Sequence, residues 1–275
     1  MQNIPSYAIP AINILLFIYK GLFLLHVPYA LGFSIIILTV LIRFILYPLT
    51  AAQLRSSKKM QVLAPHLSKL KEKHGKDAKK LQAETMRLYK EHGVNPAAGC
   101  LPMLVQLPVI WTLYAALQSI PTLTPETTGK LVYFSFLKLQ SPWDLRFFGL
   151  PLDKNPSHLI SLTPLIILVP ALTAFLQLIQ SKMLFASPPK PKELIEDIEK
   201  KKEQDFATAF QQQSLYIFPA MIGFFSYSFP LGLSLYWNTF TIFGILQQYK
   251  IQGLGGLSEW KKKLDETISP KSSKK

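Results

Sequence analysis

The stretch LGFSIIILTVLIRFILYPL, residues 31–49, decides the fold class. It has 19 positions and a single charged residue, Arg43. About 20 apolar residues are needed to cross the roughly 30 Å hydrocarbon core of a bilayer, so this stretch predicts a transmembrane helix. Residues 101–120 and 159–179 form two further apolar runs, and neither contains a charge. These runs predict an all-α membrane protein.

A fourth apolar run, residues 215–246, is 32 residues long and is interrupted by FPLG at 229–232. It is too long for one crossing, so it predicts two short helices joined by a tight turn. The sequence therefore predicts five transmembrane helices, at residues 30–50, 96–120, 159–181, 214–229 and 230–250.

The charge distribution predicts how these helices are oriented. The chain of 275 residues has 30 Lys and Arg against 16 Asp and Glu, a net charge of +14. Eleven of the basic residues lie in 51–95, six in 182–206 and seven in 250–275, whereas 121–158 has four. Lys and Arg in short loops mark the cytoplasmic side. We therefore predict an amino terminus outside and a carboxyl terminus in the cytoplasm, and we do not expect DNA binding.

The amino-terminal segment, 1–29, is predicted to be an amphipathic interfacial helix with a linker. Asn13 and Lys20 are seven residues apart and share one helical face, while apolar residues cover the rest. A sixth crossing by residues 8–27 is the alternative, since 20 residues suffice for it. The interfacial helix is preferred because a sixth crossing would move the amino terminus inside, although no positive charge lies there.

The connections follow from this topology. Apolar stripes on charged helices predict a cytoplasmic helical hairpin at 51–95. The remaining predicted segments are an extracytoplasmic loop at 121–158, a cytoplasmic loop at 182–213 and a basic cytoplasmic tail at 251–275.

The amino terminus has neither a basic region with a small-residue cleavage site nor the Arg- and Ser-rich pattern of a transit peptide. We therefore expect a prokaryotic plasma (inner) membrane protein without a removable signal. One cysteine, Cys100, excludes an intramolecular disulfide and a multi-cysteine metal site. No metal or cofactor is expected.

Arg43 is the principal candidate for function. A charge near the middle of a crossing costs about 2.5–3.5 kcal/mol, yet all 16 acidic residues lie in the loops and the tail. The charge must then be met by water, polar side chains or a visiting partner. The alternative is that Arg43 snorkels to the cytoplasmic boundary. Side chains that could line the same cavity are Thr39 and Tyr47 on one helical face with Arg43, and Gln106, Thr173, Gln177, Tyr236, Asn238 and Thr239 from other helices. For any single Gln, Asn or Thr of this set, a hydrogen bond that holds two helices together is the favoured alternative.

The predicted final crossings are short. Residues 215–229 would form a helix of about 22 Å, less than the hydrocarbon core, and short spans thin the bilayer around them. A thinned membrane beside a positively charged, hydrated groove lowers the cost of moving a polar segment across. This combination favours insertion of polypeptide over transport of a solute.

Three motifs resemble those of the YidC/Oxa family of membrane protein insertases. They are GFSIIILTVLIRFILYPLT at 32–50, LYKEHGVNPAAGCLPMLVQLPV at 88–109 and FPLGLSLYW at 229–237. They occur in the family's order, and the resemblance extends from about residue 31 to 250. The chain is similar to short members that lack the large extracytoplasmic domain.

The resemblance implies five helices that enclose a hydrophilic groove. It implies that Arg43 receives the hydrophilic part of a substrate and that Thr39 lines the groove. Ile110 and Phe225 match an apolar slide for the incoming transmembrane segment. Tyr236 and Trp237 match the family's aromatic pair, although Trp237 departs from the usual Tyr-Tyr.

We therefore expect an insertase and chaperone that is not an enzyme and uses no nucleotide, since no GxxxxGK[ST] motif is present. Its expected partners are nascent membrane proteins and the lipid bilayer, with the ribosome and the Sec translocon left open. The alternative is a secondary transporter or channel with Arg43 as an anion site, which the lack of a sequence repeat disfavours. An intramembrane enzyme is disfavoured by the absence of HExxH and GxSxG motifs.

Overall fold

The computed structural model describes residues 4–74, 77–94, 101–139, 141–184 and 206–258. Much of the predicted cytoplasmic loop (185–205), most of the basic tail (259–275) and residues 95–100, with Cys100, lie outside the described residues. Within the described ranges the α-helices are α1 (Ile9–Leu24), α2 (Ala30–Ile45), α3 (Tyr47–His74), α4 (Ala78–Glu91), α5 (Leu101–Ser119), α6 (Pro125–Thr128), α7 (Pro156–Leu159), α8 (Leu168–Leu184), α9 (Phe206–Ser228) and α10 (Leu231–Gln252).

Short elements complete the described chain. They are 3-10 turns at Ser6–Ala8, Ile120–Thr122, Ser135–Leu137 and Pro164–Ile167, and the two-residue strands β1 (Arg146–Phe147) and β2 (Leu150–Pro151), which pair antiparallel. The prediction of an all-α protein is confirmed apart from this small hairpin.

Apolar helices in the described residues are long enough to cross a membrane. Ser6–Leu24 and Pro164–Leu184 meet the requirement alone, and Ala30–Ile45 with Tyr47–Leu63 meets it if the two are one broken span. Leu215–Ser228 is a shorter apolar helix. The number of five crossings remains a prediction, as does the interfacial placement of α1.

The chain forms two compact units. The first comprises Met1–Tyr47, Met103–Gln177 and Pro219–Phe243, and the second comprises Pro48–Pro102, Leu178–Phe218 and Gly244–Lys275. The core of the first unit is built from apolar side chains of α1, α2, α5 and α10 together with the connection between α5 and α8.

The helix predicted over 30–50 breaks at Leu46, between α2 and α3. Pro48 has no backbone N–H, so it cannot donate the bond to the carbonyl of Phe44 that a continuous helix requires. The amide of Leu46 instead bonds the carbonyls of Ile42 and Phe44, which closes α2. The helix predicted over 30–50 is therefore two helices.

Hydroxyl groups join α8, α9 and α10 within the first unit. Thr173 Oγ1 lies 3.1 Å from Ser226 Oγ, which lies 2.8 Å from Ser234 Oγ. All three side chains are buried. In an apolar environment, where lipid offers no hydrogen bonds, such contacts hold helices together. Of these three, Thr173 was a candidate for the cavity with a helix-joining hydrogen bond as the favoured alternative, and the structure shows such a bond.

The connection between α7 and the preceding strand covers the turn between α9 and α10. The amides of Leu231 and Gly232 donate to the carbonyls of Lys154 (2.9 Å) and Leu152 (2.8 Å). The Asn155 side-chain amide donates to the carbonyl of Ser228 at 2.9 Å. These bonds satisfy backbone groups that the two helix ends leave unpaired.

The second unit is held by glutamine side chains. Gln247 Nε2 donates to Thr50 Oγ1 at 2.7 Å, Gln61 Nε2 to the carbonyl of Leu184 at 2.6 Å, and Gln252 Nε2 to the carbonyl of Leu54. In the predicted hairpin at 51–95, the structure describes α3 and α4. Asp77 caps α4 by accepting a bond from the amide of Lys80 at 3.0 Å.

Gly32 provides a test of packing in the first unit. A Cβ at Gly32 would lie 2.0 Å from Cδ2 of Phe147, a contact that requires the ring to move. We expect Gly32→Ala to destabilise the protein by about 1–3 kcal/mol, the usual cost of overpacking. Unfolding in detergent micelles measures the change.

The double variant Gly32→Ala/Phe147→Ala should be less destabilised than the sum of the single variants, because the clash is removed. Gly21→Ala is the matched control, since nothing lies within 4 Å of a Cβ there, and it should not destabilise the protein. Strict additivity of the two changes would contradict the proposed contact.

Candidate functional site

Arg43 lies two residues before the end of α2. Its side chain is buried, with 4% of the residue exposed. It therefore does not snorkel to an exposed position in this structure, and its charge has to be met by neighbouring atoms.

Phe240 on α10 supplies those atoms. Nε of Arg43 donates to the carbonyl oxygen of Phe240 at 3.1 Å, and Nη2 donates to the same oxygen. Cζ of Arg43 lies 3.4 Å from the centroid of the Phe240 ring and 5.9 Å from that of Phe243. The ring face carries partial negative charge and attracts a guanidinium. One residue thus contacts the cation through both its backbone and its side chain.

The ion pairs found among the described residues do not involve Arg43; they join Arg87 to Glu91 and Lys154 to Asp153. A neutral carbonyl and an aromatic ring compensate a full charge less completely than a carboxylate would. The guanidinium therefore retains the capacity to bind an anionic group.

Tyr236 and Gln106 extend the site. Nε2 of Gln106 on α5 donates to the hydroxyl of Tyr236 on α10. The Tyr236 ring is fully buried, and its centroid is 5.8 Å from that of Phe240. Arg43, Gln106, Tyr236 and Phe240, which we call the Arg43 cluster, thus form one connected set contributed by α2, α5 and α10.

Phe240 and Phe243 were not among the site residues predicted from the sequence. Tyr236, Phe240 and Phe243 are spaced by four and three residues, so they occupy one face of α10. This spacing, which begins at a residue already selected, is the signal in the sequence that could have revealed them.

Thr39 and Tyr47 lie on opposite sides of the helix break at Leu46. Thr39 is buried, and its hydroxyl donates to the carbonyl of Ile35 on its own helix at 2.6 Å. Tyr47 is the first residue of α3 and is 40% exposed.

Three other polar side chains were candidates for the cavity, and the structure gives hydrogen bonds for two of them. The hydroxyl of Thr239 donates to the carbonyl of Leu235 at 2.8 Å, and Oε1 of Gln177 accepts a bond from Thr241 at 3.4 Å. Oδ1 of Asn238 is buried and has no hydrogen-bond partner within the part of the chain that the structure describes.

Trp237 belongs to a second group. Its ring stacks with those of Phe225 and Phe229, at 6.4 Å in each case, and Phe225 and Phe229 stack at 5.5 Å. Trp237 is buried, whereas Phe225 is half-buried. Ile110 on α5 is also half-buried and packs against the core of this unit. We call Phe225, Phe229 and Trp237 the aromatic row.

The described residues contain no group of three or more His, Cys, Asp or Glu side chains that could hold a metal ion. The described site offers one buried cation held by a carbonyl and a ring, and in the same unit a row of aromatic rings. Such an arrangement can bind an amphipathic polypeptide that carries an acidic group.

Most of this chain is similar in sequence to known proteins. The family model described as 60Kd inner membrane protein matches residues 23–255. The membrane protein insertase YidC of Fusobacterium nucleatum is 34% identical over 224 residues, which is 82% of this chain and 87% of that protein. The membrane protein insertase MisCA of Bacillus subtilis is 36% identical over 226 residues, which is 81% of this chain and 70% of that protein.

The ALBINO3-like protein 1, chloroplastic, of Arabidopsis thaliana is 34% identical over 258 residues. This chain covers 47% of that relative's length, so it spans about half of the chloroplast protein that it matches. The family model includes α2, α5, α8, α9 and α10, and with them the Arg43 cluster and the aromatic row. The resemblance found in the motifs is thereby confirmed, and the chain belongs to the YidC/Oxa family, that of the 60Kd inner membrane protein.

Proposed function

We propose that this chain is a membrane protein insertase and chaperone that guides transmembrane segments of newly made proteins into the bilayer. The observation that carries the proposal is Arg43, a buried cation compensated by Phe240 and not by a carboxylate among the described residues. The names of the bacterial relatives support it. The proposed mechanism hydrolyses no nucleotide.

The first step is electrostatic. A carboxylate in the translocated part of a substrate forms two-pronged hydrogen bonds with a guanidinium and brings an opposite charge, which a neutral carbonyl lacks. Such a group displaces Phe240 from Arg43. Before a substrate binds, the groove is hydrated and positively charged, and Phe240 is the partner of Arg43.

The second step is apolar. The aromatic row and Ile110 present ring and aliphatic surface to the transmembrane segment of the substrate. Transfer of that segment from water to lipid releases about 25 cal/mol for each Å² of apolar surface. This free energy drives insertion, so the protein needs to lower only the barrier for the polar tail.

The topology gives the direction of the process. We propose an amino terminus outside and a carboxyl terminus in the cytoplasm of a prokaryotic plasma membrane, with the hairpin at 51–95 meeting nascent chains in the cytoplasm. The partners are nascent membrane proteins and lipid. The transporter alternative gains no support from the described site or from the relatives.

Removal of the charge tests the first step. We expect Arg43→Gln to reduce insertion of a substrate with an acidic translocated tail about tenfold, which corresponds to roughly 1.4 kcal/mol, because one charge-assisted interaction is lost. Protease protection of radiolabelled substrate, inserted into proteoliposomes, provides the measurement.

A substrate whose tail has Asn and Gln in place of Asp and Glu serves as the matched control and should insert equally well with both proteins. Arg43→Lys should restore part of the activity, since it keeps the charge and loses the two-pronged geometry. Equal losses for acidic and neutral tails would reject the electrostatic step.

Phe240 allows a test in the opposite direction. Phe240→Leu keeps the backbone carbonyl and removes the ring, whose contact with a desolvated guanidinium is worth about 2 kcal/mol. We expect the initial rate of insertion of acidic-tail substrates to rise by up to about thirtyfold, the factor that corresponds to about 2 kcal/mol, because the ring no longer competes for Arg43. The neutral-tail substrate should be unaffected.

Phe243→Leu is the matched control, because that ring is 5.9 Å from Arg43 and Phe240's is 3.4 Å away. It should change the rate less. A slower reaction with Phe240→Leu would show that the ring is required for insertion and does not compete with substrate.

A further inference from the structure

The connection between α5 and α8 carries an exposed aromatic cluster at residues 133–136. Tyr133 and Phe134 are each 61% exposed and Phe136 is 58% exposed. The Phe134 and Phe136 rings stack with centroids 5.7 Å apart. Adjacent Leu137 is buried, so the segment presents its rings outward while its other side belongs to the core.

The backbone of this cluster is held in place by α1. Nδ2 of Asn13 donates to the carbonyl of Leu131 at 3.0 Å, and Oδ1 of Asn13 accepts from the amide of Tyr133 at 2.8 Å. Nζ of Lys20 donates to the carbonyl of Phe136. The two polar residues of α1 therefore bind the segment at both ends, and the rings are presented from a fixed main chain.

The aromatic cluster continues onto an apolar helix. Phe17 on α1 is 59% exposed and meets Phe136 edge to face, with centroids 6.4 Å apart. Ile14 and Leu24 on α1 are exposed as well. Since Ser6–Leu24 is long and apolar enough to cross a membrane, the exposed rings extend a surface that suits lipid.

The charges around the cluster complement a phospholipid surface. Residues 127–143 include Lys130 and Lys138 and no Asp or Glu. Both lysines are exposed. Aromatic rings flanked by lysines are the pattern found where membrane proteins meet lipid headgroups, whereas an exposed apolar patch of this kind is unfavourable in water.

We propose that the aromatic cluster at residues 133–136, together with Phe17, inserts into the interfacial region of the phospholipid bilayer. Lys130 and Lys138 contact lipid phosphates at its edges. The loop thereby fixes the depth of α1 in the membrane through the Asn13 and Lys20 hydrogen bonds. This inference concerns lipid contact and is independent of the insertase proposal.

A single fluorescent probe tests the insertion. Ser135 is exposed between the aromatic residues, so Ser135→Cys in a Cys100→Ser background carries an environment-sensitive label without removing any ring. The labelled protein is reconstituted into vesicles of phosphatidylcholine and phosphatidylglycerol. Lipids with a spin label about 5–10 Å below the headgroups report contact with the buried interface.

Ser141→Cys is the matched control, because Ser141 is exposed in the same connection outside the cluster. We expect lipid quenching at position 135 to be about threefold that at 141, as interfacial burial requires, and iodide quenching to be lower. Replacing Tyr133, Phe134 and Phe136 together by Ser should reduce lipid quenching at 135 to the level at 141.

Equal lipid and iodide quenching at the two positions would overturn the proposal. So would a probe at 135 that is shielded from iodide but not quenched by lipid, because a protein surface or a second copy of the chain would then cover the rings. A rise of this shielding with the protein-to-lipid ratio identifies the second copy. None of these readouts depends on insertion activity.

Discussion

The contact between Arg43 and Phe240 imposes the main constraint on this protein. A guanidinium at 4% exposure requires compensation, and α10 provides it through one carbonyl and one ring. Those two groups connect α2 to α10 and do not neutralise the positive charge. The first unit thus keeps a cation inside a packed protein at a lower cost than isolation would impose, while leaving it available to a stronger partner.

Sequence patterns predicted the helical class, and the run 159–179 overlaps the apolar span Pro164–Leu184, because a long run without charges has few structural alternatives. The pattern around Arg43 also predicted the residue on which the site is built. The helix break at Leu46 was missed, although Pro48 is visible in the sequence, because prolines are tolerated inside membrane helices when neighbours satisfy the freed groups.

The ring of Phe240 could have been found from its spacing after Tyr236, but the carbonyl that accepts from Arg43 could not, for a different reason. Polar side chains were considered as partners, but a backbone carbonyl is present at every residue, and nothing in composition distinguishes the one at Phe240. Asn13 and Lys20 illustrate the same difficulty. Their shared helical face was recognised, but their partners are carbonyls and an amide of a distant loop, and only the folded chain brings these together.

The hydroxyl contacts between Thr173, Ser226 and Ser234 have a consequence for movement. A serine or threonine in a helix can turn its hydroxyl to a carbonyl one turn earlier in the same helix, and Thr173 already donates to Val169 at 2.9 Å. Parting of α8 from α9 and α10 therefore strands no polar atom in hydrocarbon. These hydroxyl groups also offer hydrogen bonds to water or to a polar chain between the helices, whereas an all-leucine interface would leave such a guest without partners.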